Sequence, residues 1–154
     1  MHLSEDLFGS VIKNTPLISI DLIVKQNSNI LLGQRVNRPA KGYWFVPGGR
    51  IYKDERLDEA LKRISFSELG KALTFGECKF RGIYEHHYDD NVFGDEHSTH
   101  YVVLGFEVIL EEPLPELPQM QHSCYRFFKI DELLMNPEVH QNTKDYFNNE
   151  KGIR

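Results

Sequence analysis

Five residues in the stretch GGRIYKDERLDEALKRISFSELGK (48–71) have types and intervals suited to chemistry: Gly49, Glu55, Arg63, Glu68 and Gly70. Carboxylates donate oxygen to hard divalent cations, and guanidinium groups pair with carboxylates or phosphates. If 56–69 is a helix, positions 64, 67 and 68 share one face, being three and four residues apart. That face presents Ile64, Ser67 and Glu68, so it carries a single carboxylate. Such a face can hold one Mg²⁺ supplemented by neutral oxygens, but hardly a cluster of metals. The competing reading is an acidic helix surface that is merely solvated, the common fate of a run of charges.

Other candidates lie outside this stretch. Arg35 and Arg50 could hold a small anion, although an arginine ending a strand is more often a surface charge. Asp21 is an acid inside an apolar strand, placed there for function, as a cap, or to pair with a nearby arginine. His122 follows Gln121 in a loop, and an imidazole can accept a proton near neutral pH. Tyr101 and Trp44 are of a type that more often fills a core or a rim than touches substrate. The run HHYDD (86–90) invites a metal reading, but neighbouring strand residues point to opposite faces, so His86 marks a site edge at most.

The elements that must position these residues follow from pattern. Residues 4–14 read as a helix capped by Ser4 and closed before Pro16. LISIDLIVKQ (17–26) alternates as a strand with Ile18, Ile20, Leu22 and Val24 on one face, and NSN turns it into a second strand, ILLGQR. VNRPAKGYWFVPGGR is a Pro- and Gly-rich loop that delivers the helix at 56–69, whose apolar stripe is Leu57, Leu61 and Ile64 and whose stop is Gly70. Residues 75–88 and 100–110 read as strands around a polar loop. EEPLPELPQMQHS holds too much proline for regular structure. CYRFFKI is a last strand, and DELLMN and EVHQNTKDYFNNEK give helices. Helices before, between and after mixed strands imply an α/β fold with the sheet covered on both faces.

Composition narrows the classes. The 154 residues suit one domain, 40% apolar and 27% charged, with 18 Lys+Arg against 23 Asp+Glu and a net charge of −5. A nucleic-acid partner, which needs a basic surface, is disfavoured. No run approaches the roughly 20 apolar residues of a membrane span, and the first ten residues lack the pattern of a signal peptide. Cys78 and Cys124 fit no metal spacing and read as reduced thiols. The expectation is a single cytoplasmic domain, 1–154, with no membrane partner.

Residues 49–70 resemble the Nudix box, G-x5-E-x7-R-E-U-x-E-E-x-G-U, where U is bulky and apolar. Gly49, Glu55, Arg63, Glu68 and Gly70 match; Ile64 and Ser67 replace glutamates, and Ser65 and Lys71 stand at U. The segments TPLISIDLIV, NRPAKGYWFVPGGR, THYVVLGF and QHSCYR extend the resemblance over nearly the whole chain, to the GDP-mannose mannosyl hydrolases, an atypical branch of the Nudix hydrolases that lacks the same two glutamates. The resemblance implies a Nudix α/β/α sandwich with a mixed β-sheet and a homodimer. It also implies hydrolysis of a GDP-hexose (GDP-mannose, with GDP-glucose beside it) to GDP and free sugar, by water attack at the anomeric carbon with inversion.

Carried onto matching positions, it implies one Mg²⁺ per subunit, with Mn²⁺ as the alternative, bound by the Gly48 carbonyl, Glu68 and Gln121. His122 would be the general base. Arg35, Arg50 and Tyr101 would face the diphosphate, Asp21 and His86 would lie near the substrate, and His2 and Leu3 would contact it. Two rivals stand beside this reading. One is a conventional pyrophosphatase that cleaves phosphorus–oxygen bonds of nucleoside-diphosphate sugars; the other is a degenerate Nudix domain that binds a nucleotide sugar without turnover.

Overall fold

The computed structural model describes residues 2–114 and 122–154, with 122 and 123 described by their backbone alone. The chain opens with α1 (Glu5–Asn14), capped by Ser4, whose hydroxyl accepts from the Leu7 N–H. Strand β1 (Leu17–Gln26) turns through Asn27 and Ser28 into β2 (Asn29–Arg35). Both turn residues have positive φ, 51° and 67°, which matches the twist of a two-residue hairpin. The segment anticipated as an irregular loop contains two short strands, β3 (Trp44–Phe45) and β4 (Gly48–Arg50). Helix α2 (Leu57–Leu69) follows and ends at Gly70, whose φ of 71° is left-handed and whose N–H returns to the Phe66 carbonyl.

Strands β5 (Cys78–Tyr88) and β6 (Thr99–Ile109) form a long hairpin, and β7 (His122–Lys129) leads into α3 (Ile130–Met135) and α4 (Gln141–Lys144). Among the described residues the sheet has seven strands. Its main path is β3-β2-β1-β6-β5, with β4 added beside β1 and β7 beside β2. β1 and β6 run parallel from Leu17/Tyr101 to Lys25/Ile109, and the other pairings are antiparallel, so the sheet is mixed.

β1 is buried on both faces. Ile20, Leu22 and Val24 pack with Leu61, Ile64, Leu69 and Leu73 beneath α2. Ile23 packs on the opposite face with Trp44, Val103, Phe128, Leu133 and Tyr146, under α3 and the C-terminal segment. Two apolar clusters separated by one sheet define the α/β/α sandwich. Among the described residues no helix is long and apolar enough to cross a membrane.

Besides β3 and β4, and β7 beginning at His122 where the sequence pattern predicts an irregular segment through Ser123, the structure departs from that pattern at four places. Ile18 is 50% exposed, because the residues packed beneath α2 begin at Ile20. Leu57, at the first turn of α2, is also exposed, so the buried stripe runs through Ala60, Leu61, Ile64, Glu68 and Leu69. Residues 75–77 form a 3₁₀ turn, with the Glu77 side chain accepting from the Thr74 N–H, so the strand starts at Cys78. The helix expected over 138–151 shrinks to α4 and a 3₁₀ turn, Asp145–Phe147. That turn buries Tyr146 against the sheet, where a continuing amphipathic helix is not needed.

Candidate active site

The β4 backbone is the platform of the site. Gly48, Gly49 and Arg50 pair with Asp21, Ile20 and Ser19 of β1, which brings Gly48 against the Asp21 side chain. A Cβ on Gly48 would overlap the Asp21 carboxyl and lie 2.7 Å from the Ile20 carbonyl oxygen, so only glycine fits there. A Cβ on Gly49 would press to 3.1 Å from Ile64 of α2. This close approach sets α2 against the platform and aims Glu68 into the same space.

The Glu55–Arg63 pair locks the connecting loop. Arg63 donates through Nε and Nη2 to the two Glu55 carboxylate oxygens at 2.6 and 2.8 Å, and Nη2 also reaches the Arg50 carbonyl at 2.8 Å. The Tyr52 N–H donates to Glu55, and the Tyr52 ring lies 3.8 Å from the Arg63 guanidinium. The hydrogen bonds from Arg63 hold the Glu55 carboxyl below its usual pKa. Glu55 and Arg63 thus shape the site and are spent on each other.

Between α1, β2, β4, α2 and the β5–β6 hairpin lies a cavity of about 410 Å³. The structure gathers Asp21, Arg35, Gly48, Arg50, Glu68, His86 and Tyr101 along its wall, although they are spread over 80 residues of sequence. His2 and Leu3 do not line it. The His2 ring lies 6.3 Å from that of Tyr52, and α1 contributes Phe8 and Ile12 instead. Gln121 lies outside the described residues. The His122 backbone opens β7 opposite Arg35, and its side chain is outside the description.

Two acids in this wall are shielded from water, Glu68 almost wholly and Asp21 with 13% of its side chain exposed. Asp21 is pushed up to about 7 by loss of water, against the opposing effects of the Tyr146 hydroxyl and Arg35. Glu68, 4% exposed, rises to about 7, again chiefly through burial, with Asp21 raising it further and Arg35 opposing. His86 is pushed down to about 3, mainly by burial, so it stays a neutral imidazole. Its Nδ1 lies 4.0 Å from Asp21, which is therefore a polar contact and not an ion pair. Burial also raises Tyr101, so its phenol keeps its proton.

The cations are held differently. Arg35 donates through Nε to the Pro39 carbonyl at 2.9 Å and faces the Phe45 ring at 5.8 Å. Arg50 is stacked between Phe8 and Tyr52, 4.6 and 5.0 Å from their ring centres. A pocket that gathers shielded acids and arginines along one wall suits a ligand that joins a hard cation to an anion. Glu68 and the Gly48 carbonyl could supply oxygen donors to one such cation, whose charge would relieve the cost of ionising both acids. Among the described residues no group of three or more His, Cys, Asp or Glu side chains is arranged to hold a metal. The Ile64–Ser67–Glu68 face explains this, since Ile64 and Ser67 also line the cavity.

Sequence reasoning missed Tyr146, whose hydroxyl donates to Asp21 and lies 3.4 Å from His86 Nε2. No local signal marks it, because Asp21 is 125 residues away. Arg38 and Tyr52 also line the cavity. Arg38 stands in the glycine- and proline-rich segment before the box and Tyr52 within the box, and those positions were the available signal.

The chain belongs to the Nudix family of hydrolases: the model of the NUDIX domain matches residues 15–149. It is 39% identical over 128 residues to the low-salt glycan biosynthesis protein Agl8 of Haloferax volcanii, covering 83% of this chain and 80% of that protein. A shorter stretch of 55 residues, 36% of this chain and 32% of its relative, is 36% identical to an ADP-ribose pyrophosphatase of Methanocaldococcus jannaschii. Among solved structures, a MutT protein from Methanosarcina mazei Go1 shares the fold with a TM-score of 0.68 at 18% identity, over 87% of this chain and 92% of that one. The Nudix domain of Shewanella oneidensis NrtR, complexed with ADP ribose, does so with a TM-score of 0.61 at 16% identity, over 91% and 92% of the two chains.

Proposed function

We propose that the chain hydrolyses nucleoside-diphosphate sugars, and that it directs water to the anomeric carbon of a GDP-hexose such as GDP-mannose, releasing GDP and free sugar. The observation that carries this reading is the face of α2 toward the cavity. There Ile64 is apolar and buried, Ser67 is neutral, and Glu68 is the one carboxylate. Activating water for attack at phosphorus draws on clustered metal–carboxylate sites, and this face supplies too few acids for one. The glycan-biosynthesis relative is in keeping with a sugar nucleotide as substrate.

In this reading Glu68, the Gly48 carbonyl and Gln121 would hold one Mg²⁺, which stabilises negative charge on the departing diphosphate. Arg35 and Arg50, with the Tyr101 hydroxyl, orient the same diphosphate through charged and neutral hydrogen bonds. Asp21 and the neutral His86 face the sugar, and His122 accepts the proton of the attacking water. A homodimer and a cytoplasmic location complete the proposal.

The comparisons with known proteins back a second reading better than the first. The ADP-ribose pyrophosphatase relative favours cleavage of a phosphorus–oxygen bond in a nucleoside-diphosphate-linked substrate, and Asp21 adds a second acid near Glu68. Hydrolysis of GDP-mannose in ¹⁸O-labelled water separates the two. Label in free mannose, released first as the β anomer, is expected; label in a phosphate product, with GMP and sugar phosphate formed, would establish the second reading instead. Binding without either product would leave only a nucleotide-sugar-binding domain.

A further inference from the structure

One arginine in the cavity wall has no role in the reading above. The segment after β2 folds back over the cavity and contributes Asn37, Arg38 and Pro39 to its wall. The Arg38 guanidinium is held by the turn of the β5–β6 hairpin, which contributes Val92 to the same wall, where Thr99 at the start of β6 also lies. Its Nη1 donates to the Asp95 carboxylate, and its Nε lies 3.8 Å from the Asp90 carboxylate.

The exposure of these partners decides how firmly Arg38 is held. The Asp95 side chain is 80% exposed and that of Arg38 43%, so water screens this pair; Asp90, 28% exposed, is only a 3.8 Å contact, so little is lost when Arg38 leaves both. Arg63 is the contrast, with its donors spent on Glu55 and the Arg50 carbonyl. A diphosphate in the cavity offers Arg38 two or more charged oxygens in a less solvated place, and guanidinium binds such groups bidentately. Exchange of partners leaves the aspartates to solvent, at a cost kept small by the exposure of the Arg38–Asp95 pair.

We propose that Arg38 is a further diphosphate-binding residue, held by Asp90 and Asp95 in the free protein and transferred from them to the diphosphate of an entering nucleotide. The proposal rests on the site being one for nucleoside diphosphates, but not on which bond is broken. A fixed clasp between the two loops predicts something different. Breaking a clasp from either side has the same effect, whereas freeing a reserved ligand and deleting it have opposite effects.

Calorimetric titration with GDP and with inorganic pyrophosphate, at constant Mg²⁺ and salt, tests it. Arg38→Ala and Arg38→Gln are expected to weaken binding about 10- to 100-fold, the range for a lost charged hydrogen-bonding partner. Asp90→Asn/Asp95→Asn is expected to tighten it about 2- to 5-fold, the worth of exposed ion pairs. That gain should vanish when the aspartate changes are made in the Arg38→Ala background. Equal weakening from both sides, no effect from either, or a gain that persists without Arg38 would each overturn the proposal; the last is general electrostatics alone. Loss of binding by Arg38→Ala with a lowered melting temperature, but normal binding and stability in Arg38→Gln, assigns Arg38 a structural role and overturns it too. A parent protein that binds neither probe overturns this proposal together with the nucleotide-site reading, while one that binds both but shows unaltered variants overturns this proposal alone.

Discussion

The two buried acids make stability depend on pH in an unusual direction. An ordinary carboxylate paired in the native state lends stability that is lost on acidification. Asp21 rises from 3.8 to about 7 and Glu68 from 4.5 to about 7, so the folded chain holds these protons over a range where the unfolded chain has released them. Their contribution is therefore fully present below about pH 4, falls as pH rises, and is gone above about pH 7. Each group costs about 1.36 kcal/mol per pH unit inside that window, so between pH 5 and pH 7 each could remove up to ~2.7 kcal/mol. Part of the Glu68 shift is caused by Asp21 itself, so the two do not simply add, and we expect about 3–4 kcal/mol together. For a chain of this length that corresponds to a drop of roughly 10 °C in melting temperature.

Thermal unfolding in EDTA between pH 5 and pH 8 measures this, with Asp21→Asn/Glu68→Gln as the reference that removes both groups. Glu55, held below its usual pKa by Arg63, acts with the opposite sign at the acid end and cancels in the difference between the two proteins. The parent should lose stability relative to the double variant as pH rises. Added Mg²⁺ should restore the parent above pH 7 and leave the variant unchanged, since a cation favours the ionised acids. A parent and variant with parallel pH profiles in EDTA would refute the argument that burial holds these protons.

Three further outcomes follow from particular contacts. Glu55→Gln should cost about 1.5–3 kcal/mol in urea unfolding, because it removes the charge from a half-buried two-point pair with Arg63; a change below a few tenths would show that the pair is merely superficial. Gly48→Ala should destabilise by about 1–3 kcal/mol and weaken Mg²⁺ binding, since its Cβ would displace Asp21 or the β1 backbone; normal stability with normal Mg²⁺ titration would contradict that crowding. Tyr146→Phe should cost about 1–2 kcal/mol and move the pH window assigned to Asp21 upward, because the hydroxyl favours its ionised form. An unmoved window would show that the hydroxyl does not act on that carboxyl.

What the sequence determined by itself was whatever depends on neighbours along the chain. Ser4 before a helix, Asn27 and Ser28 between two strands and Gly70 after α2 act within a few residues, and each performs its expected local task. The intervals among Gly49, Glu55, Arg63 and Glu68 likewise specified a loop joined to one helix face. Tertiary structure decided the rest. Ile18 fits the strand alternation but is exposed, because α2 covers β1 only from Ile20 onward, and no strand pattern records where a helix lands. The helical pattern over 138–151 yields to the requirement that Tyr146 be buried beside Asp21, a contact made across 125 residues. Arg38 meets Asp95 across 57 residues in the same way. The protonation of Asp21, Glu68 and His86 was illegible for a related reason: it follows from how completely the folded chain excludes water from three side chains, and exclusion of water belongs to the packed structure.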